Sequence, residues 1–224
     1  MINKFGIATT ALAAGMAFGF ANAAAAEGMY GSLMGGYSFF QDSTLSGERD
    51  DLNNSTDAIK LDDSFIVGGA IGYSFKEPWR VEGEVTYQKF DVDQIINTAG
   101  VFVAGNGDIS VIGFGVNGVY EYRQSGSSLT PYIGVGVGAI YADANDVQRP
   151  GRSTLNESAF APTGRVMVGV DYDLDKSVAL TAGYRFQAIG VLDGSQTRTN
   201  GTTISGESDV VFLHSVTAGI RVKF

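Results

Sequence analysis

Cysteine is absent from the 224 residues, proline occurs four times and histidine once. The first absence removes disulfides, thiolate metal sites and cysteine nucleophiles together, and leaves no cysteine to carry a lipid behind the N-terminal segment. Basic runs are also missing. With a net charge of −9, the chain offers no cationic face to a phosphate backbone, which argues against a nucleic-acid partner. After residue 20 no apolar run approaches the ~20 residues that a membrane-spanning helix needs. Glycine is plentiful instead, at 31 residues, beside 11% aromatic side chains. That is too aromatic for a disordered tract, and the glycines lack the period of collagen.

The N-terminal stretch differs from all that follows. Lys4 precedes an apolar segment from Phe5 to Phe20, and small residues follow in Ala21, Asn22, Ala23 and on through Ala26. A short positive region, a hydrophobic core and an A-x-A-type site are the three parts of a secretory signal peptide. We expect a leader over residues 1–26, cleaved between 23 and 26, and a mature domain over 27–224. A retained membrane helix would need a longer apolar segment and a basic stop.

Eight later segments alternate apolar and polar side chains with a period of two, which is the pattern of strands. They are expected at 29–39, 64–75, 79–90, 109–122, 131–142, 161–174, 177–188 and 209–224. In the third, Trp79, Val81, Val85 and Tyr87 oppose Arg80, Glu82, Glu84, Thr86 and Gln88. In the last, HSVTAGIRVKF, the set His214, Val216, Ala218, Ile220, Val222 and Phe224 opposes Ser215, Thr217, Gly219, Arg221 and Lys223. The connections alternate in length. KEP, RQSGSSLT and DLDK are short and turn-like, whereas DSTLSGERDDLNNSTDAIKLDD and DGSQTRTNGTTISGESD are long and polar. Short turns at one end and long loops at the other, on an even number of strands, are the pattern of an outer-membrane barrel. A soluble sandwich has no reason to keep that parity.

The two faces point the same way. Aromatic residues gather at strand ends on the apolar face, Tyr73, Phe75, Trp79, Tyr120, Tyr122, Tyr172 and Phe224 toward the short turns. Tyr37, Phe39, Phe65, Tyr87, Tyr141, Tyr184, Phe186 and Phe212 lie toward the long loops. Two such rows suit the two membrane interfaces; Tyr30 and Tyr132 have the opposite parity and fall outside them. The polar face carries Arg80, Glu82, Glu84, Asn117, Glu121, Arg165, Asp171, Arg185 and Arg221. A soluble barrel would turn its apolar face inward, so here that face must look out at lipid. The expected fold is all-β: an eight-stranded antiparallel up-and-down transmembrane β-barrel with short periplasmic turns and long extracellular loops. Because lipid cannot solvate an unpaired strand edge, HSVTAGIRVKF must pair with the first strand.

These residues resemble the small eight-stranded outer-membrane β-barrel family of the OmpA, OmpX and Opa type. The resemblance runs through PYIGVGVGAIYA (131–142), VGVDYDLDKSVALTAGYRF (168–186) and the terminal HSVTAGIRVKF. It implies location in a Gram-negative outer membrane, with outer-membrane lipids and lipopolysaccharide as surroundings. It further implies that Phe224, Val222 and Ile220 form the C-terminal signal read by the barrel-assembly machinery. No segment follows this strand in the sequence, so the peptidoglycan-binding module of OmpA is not expected. Opa-type relatives adhere through their loops, which implies an extracellular or host ligand there.

Little in the sequence points to chemistry. Eight strands enclose a lumen just wide enough for side chains to fill. Arg80, Glu82, Glu84, Glu121, Arg165, Asp171, Arg185 and Arg221 are therefore expected to form a structural charge network that plugs it, and a narrow pore for small solutes is the alternative. Gly134, Gly136 and Gly138 would leave room for bulky residues across the lumen. Glu82 and Glu84, two residues apart and ~7 Å along a strand, could form an acid/base pair, but Arg80 in the same row favours ion pairing. His214 and Ser215 are neighbours on a strand and point to opposite faces, so they cannot act as base and nucleophile; His214 is expected at the interface. DLNNSTD (51–57) lacks the glycine and terminal glutamate of a calcium loop. It is read as a solvated tip, at most recruiting divalent cations that bridge to lipopolysaccharide phosphates. No catalytic, cofactor or metal residue is assigned.

Overall fold

The computed structural model describes residues 28–40, 44–49, 57–61, 63–76, 78–96, 102–104, 106–148, 155–190, 193–197, 203–208 and 210–224. The expected leader over 1–26 and most of DLNNSTD lie outside the described residues. Eight long strands make the wall: β1 (Gly28–Phe40), β4 (Ser64–Ser74), β5 (Trp79–Ile96), β7 (Asn106–Glu121), β8 (Leu129–Gln148), β9 (Leu155–Asp173), β10 (Val178–Ile189) and β13 (Val211–Lys223). Each pairs antiparallel with its neighbours in the sequence. The ring closes where β1 meets β13, from Tyr30↔Lys223 to Phe40↔Leu213. This is a closed eight-stranded up-and-down barrel, with no strand edge left for lipid to solvate.

Turn chemistry sets the short end. Asp175 accepts hydrogen bonds from the backbone N–H groups of Ser177 (2.7 Å) and Val178 (2.8 Å), folding the β9–β10 turn over an aspartate side chain. Between β7 and β8 the chain reverses at Gly126, whose φ of +81° suits glycine and few other residues. At the long end the strands run further than the alternation suggests. β5 continues to Ile96, β8 to Gln148, and β9 begins at Leu155. Five short strands lie among the loops: β2 (Thr44–Arg49), β3 (Asp57–Leu61), β6 (Phe102–Ala104), β11 (Asp193–Thr197) and β12 (Thr203–Ser208). Four of them join β5 in the order β11-β12-β2-β3-β5 and β6 pairs with β5 separately, so part of the polar loop sequence is a sheet built on the barrel rim. Cross-strand hydrogen bonding organises these segments although their composition reads as loop.

The faces are inverted relative to a water-soluble barrel. Val135 is 61% exposed on the outer surface, whereas Arg80, Glu84 and Arg185 are each 5% exposed within. Outward rings meet in pairs at both ends: Trp79 with Tyr120 (5.0 Å) and Tyr73 with Phe75 (5.1 Å) near the short turns, and Tyr37 with Phe65 (5.5 Å) near the long loops. From Trp79 to Tyr87 is eight residues, or ~27 Å along the strand and ~20 Å along the axis at a tilt near 40°. Adding the rings themselves reaches the ~25 Å apolar band of an outer membrane.

Two measurements test this architecture. The folded protein should migrate differently on electrophoresis before and after boiling; identical mobility would contradict a closed barrel. A Cβ on Gly72 would land on the ring of Tyr30, while one on Gly118 meets nothing within 4 Å. Gly72→Ala should therefore cost about 1–3 kcal/mol and lower the denaturant midpoint of the folded band, and Gly118→Ala should leave it unchanged.

The barrel lumen as candidate functional site

Alternation along each strand places one residue in two inside the barrel, and register decides which of these meet. Near the short-turn end, Arg80 of β5, Glu121 of β7, Asp171 of β9 and Arg221 of β13 converge from four strands. Arg221 pairs with Glu121 at 2.8 Å and with Asp171 at 2.9 Å. Arg80 pairs with Asp171 at 2.9 Å and also hydrogen-bonds Glu121. Two guanidinium groups and two carboxylates thus alternate, each ion touching both of its opposites. Arg123 adds a further contact to Glu121 at 2.7 Å from the rim.

A second cluster lies deeper. Arg185 of β10 grips Glu84 of β5 with both terminal nitrogens, each at 2.6 Å, and Arg165 of β9 donates to the same carboxylate. This planar two-point contact is the geometry for which a guanidinium is preorganised. The Asn117 amide donates to Glu82 at 3.2 Å, and a 3.5 Å contact to Glu84 links the two clusters. The structure brings all eight residues of the expected network inside the lumen. Glu82 and Glu84 sit among arginines, with Arg80 Nε 3.8 Å from Glu82.

Sequence reading left Tyr30 and Tyr132 out of the girdles, and the structure shows why: both rings are in the lumen. Tyr30 is fully buried and donates to Glu82 at 2.8 Å. The guanidinium of Arg80 lies 4.9 Å from the centre of the Tyr132 ring, and that of Arg221 lies 5.5 Å from the Tyr30 ring. Cation–π contacts of this kind contribute about 0.5–2 kcal/mol each. The signal that could have found them was available, since Tyr30 shares parity with Ser32 and Ser38, and Tyr132 with Gly134.

Glycines make the space. A Cβ on Gly138 would sit 2.9 Å from the Arg165 guanidinium, one on Gly136 3.0 Å from its stem, and one on Gly134 2.9 Å from the Met167 methyl. A Cβ on Gly183 would sit 2.6 Å from the Tyr132 hydroxyl, and one on Gly169 closer still. A cavity of about 60 Å³ lies between the two clusters. Atoms of Arg80, Arg185 and Arg221 line it, as do atoms of Glu82, Glu84 and Asp171.

Other sequence candidates separate. Ser215 is buried in the lumen with its hydroxyl 2.7 Å from that of Ser38. His214 points outward, its ring 5.3 Å from Phe39 in a stacked arrangement and hydrogen-bonded to the Tyr184 hydroxyl. The two face opposite sides of the wall. At the other end of β13, Ile220 and Phe224 look outward while Val222 is half-buried.

Comparison with known proteins agrees with this geometry. Residues 10–224 match the family model described as "Outer membrane protein beta-barrel domain". A protein named "Outer membrane protein" from Gluconacetobacter diazotrophicus is 30% identical over 244 aligned positions, covering 97% of this chain and 62% of the relative. The chain thus spans less than two thirds of that relative's length. Among solved structures, the outer membrane protein OprG from Pseudomonas aeruginosa superposes with a TM-score of 0.60 at 15% identity, covering 88% of this chain and 98% of OprG. Neisserial surface protein A gives 0.54 at 18% identity, covering 88% and 97%. The chain belongs to the outer membrane protein beta-barrel domain family, and its location is the outer membrane.

Removing one partner of a desolvated ion pair strands the other charge and costs about 3–5 kcal/mol. Glu84→Gln leaves two arginines against one neutral amide and should show a loss of that order in urea unfolding from lipid vesicles. Glu82→Gln, which keeps the Tyr30 and Asn117 side chains within hydrogen-bonding reach, should lose less than half as much.

Proposed function

We propose that this outer-membrane barrel has a structural, surface-exposed role in envelope integrity, with its lumen occluded by side chains and no catalytic activity. The observation that carries this reading is the lumen charge network. Glu84, Glu121 and Asp171 spend their charge on Arg80, Arg165, Arg185 and Arg221, and Glu82 lies 3.8 Å from Arg80. An arrangement with opposite charges in contact ties distant strands together and presents no unpaired field to a passing ion. The separation of His214 from Ser215 across the wall speaks against hydrolysis by that pair.

The remaining assignments extend the same reading. Residues 1–26 act as the export signal, and Phe224, Val222 and Ile220 present the terminal strand to the barrel-assembly machinery. DLNNSTD (51–57) recruits divalent cations that bridge to lipopolysaccharide phosphates, and the long loops offer a surface to an extracellular or host ligand, because binding residues concentrate on loops held by a rigid scaffold. A narrow pore is the second reading, favoured by the 60 Å³ cavity between the ion clusters.

Planar bilayers discriminate between them. The reconstituted protein should give no steady stepwise conductance, and regular steps would establish the pore instead. For the loops, shortening 41–62 and 191–209 should abolish cell or matrix binding of the intact protein if a ligand is held there; undiminished binding would remove the loops from the role.

A further inference from the structure

The inward face changes character along the barrel axis. On β10 the lumen residues run Arg185, Gln187, Ile189; on β9 they run Arg165, Thr163, Ala161; on β13 they run Ser215, Leu213, Val211. Each strand passes from ions or hydroxyls to hydrocarbon as it approaches the long-loop end. There Ile140, Ala161 and Ile189 pack into one buried cluster, with Val111 and Val211 against it. The rings of Phe40 and Phe90 meet at 4.9 Å, and Ile66 and Leu213 are only 1% and 2% exposed. Ile189 is four residues beyond Arg185, ~13 Å along the strand. This apolar layer is therefore distinct from the ion clusters and sits above them.

The charged half has the opposite relation to water. It encloses the 60 Å³ cavity, and Arg185 Nε and Asp171 Oδ1 are buried there with no hydrogen-bond partner among the described residues. Polar atoms in that position are ordinarily satisfied by water. Guanidinium groups on long stems can also rearrange around a guest while staying hydrated. Packed isoleucine, leucine and phenylalanine can do neither: they replace none of an ion's hydration shell and exclude water from the constriction.

We propose that the barrier to water and ions in this lumen is the apolar collar at its extracellular end, and that the charged chamber beneath it is wettable and passes ions once the collar is opened. The inference rests on the occluded-lumen reading and locates the occlusion. It also assigns the ion clusters a different task, that of bracing the wall.

The test compares three proteins in planar bilayers with potassium chloride as the probe, each first shown to be folded by its heat-dependent mobility. The unchanged chain should be silent. Ile140→Ser combined with Ile189→Ser should open stepwise conductance, with events at least tenfold more frequent than in protein-free bilayers. Met34→Ala combined with Met167→Ala widens the charged chamber, whose wall both methionines help to form, and should remain silent. If the serine pair does not fold, Leu213→Ser replaces it at the same level. A folded, silent collar variant overturns the inference, as does conductance from the methionine variant. Either result leaves the occluded reading intact if the unchanged chain is silent. Steady conductance from the unchanged chain overturns both.

Discussion

Hydrocarbon cannot hydrogen-bond a peptide group, and the rest of this structure follows from that constraint. A strand placed in lipid must be paired along both edges, so the first and last strands have no choice but to meet. They do so over the whole run from Tyr30↔Lys223 to Phe40↔Leu213. The two-faced sequence of β13 is the chemical expression of this demand: one edge bonds to β1, the other to β10, one face meets lipid and the other the lumen. This arrangement satisfies the backbone of HSVTAGIRVKF and both of its faces together.

Closure with eight strands then fixes what the interior must contain. The barrel is too narrow to leave an open aqueous channel through its side chains, yet too wide to be filled by alanines and serines. The solution is uneven. Glycine occupies β8 at 134, 136 and 138, and Arg165 and Met167 lie against that strip. Glycine at 72 makes way for Tyr30, and glycines at 169 and 183 make way for Tyr132. Volume removed on one wall is restored by a long or aromatic residue from another, and the charges those residues carry are neutralised within the lumen. Electrostatic pairing and close packing are therefore aspects of one requirement, since an arginine with no carboxylate in reach could not be tolerated at the depth that packing demands.

The sequence made the barrel legible because period-two alternation and loop parity are both local signals, read without knowing which strand touches which. The inversion was equally plain, as in Arg80, Glu82 and Glu84 opposite Trp79, Val81 and Val85. Strand ends were less legible. The extension of β8, and short strands such as β11 (Asp193–Thr197) and β12 (Thr203–Ser208), are rich in turn-forming residues, and only pairing with a neighbour gives them order. Membership of the lumen could be read from parity, but the sorting of its ions could not. That Glu84 faces Arg165 and Arg185, while Arg80 shares Glu121 and Asp171 with Arg221, depends on the shear between strands, which no single segment encodes.

Parity already placed Tyr30 and Tyr132 inside the barrel, whereas the apolar layer at the extracellular end had no signal in the alternation. Alternation assigns a side chain to the lumen or to lipid and is blind to its height along the axis. An inward tyrosine looks like an error until Arg80 and Arg221 are found against its face, and an inward isoleucine at 189 looks like the start of a loop. Height matters because the lumen is not uniform. Where the wall is crossed by paired charges, water can accompany them at modest cost; where it is crossed by packed hydrocarbon, water has no partner at all. A barrel of this width can therefore be braced in one layer and sealed in another. Mutations that loosen the wall and mutations that open the passage then belong to different sets of residues.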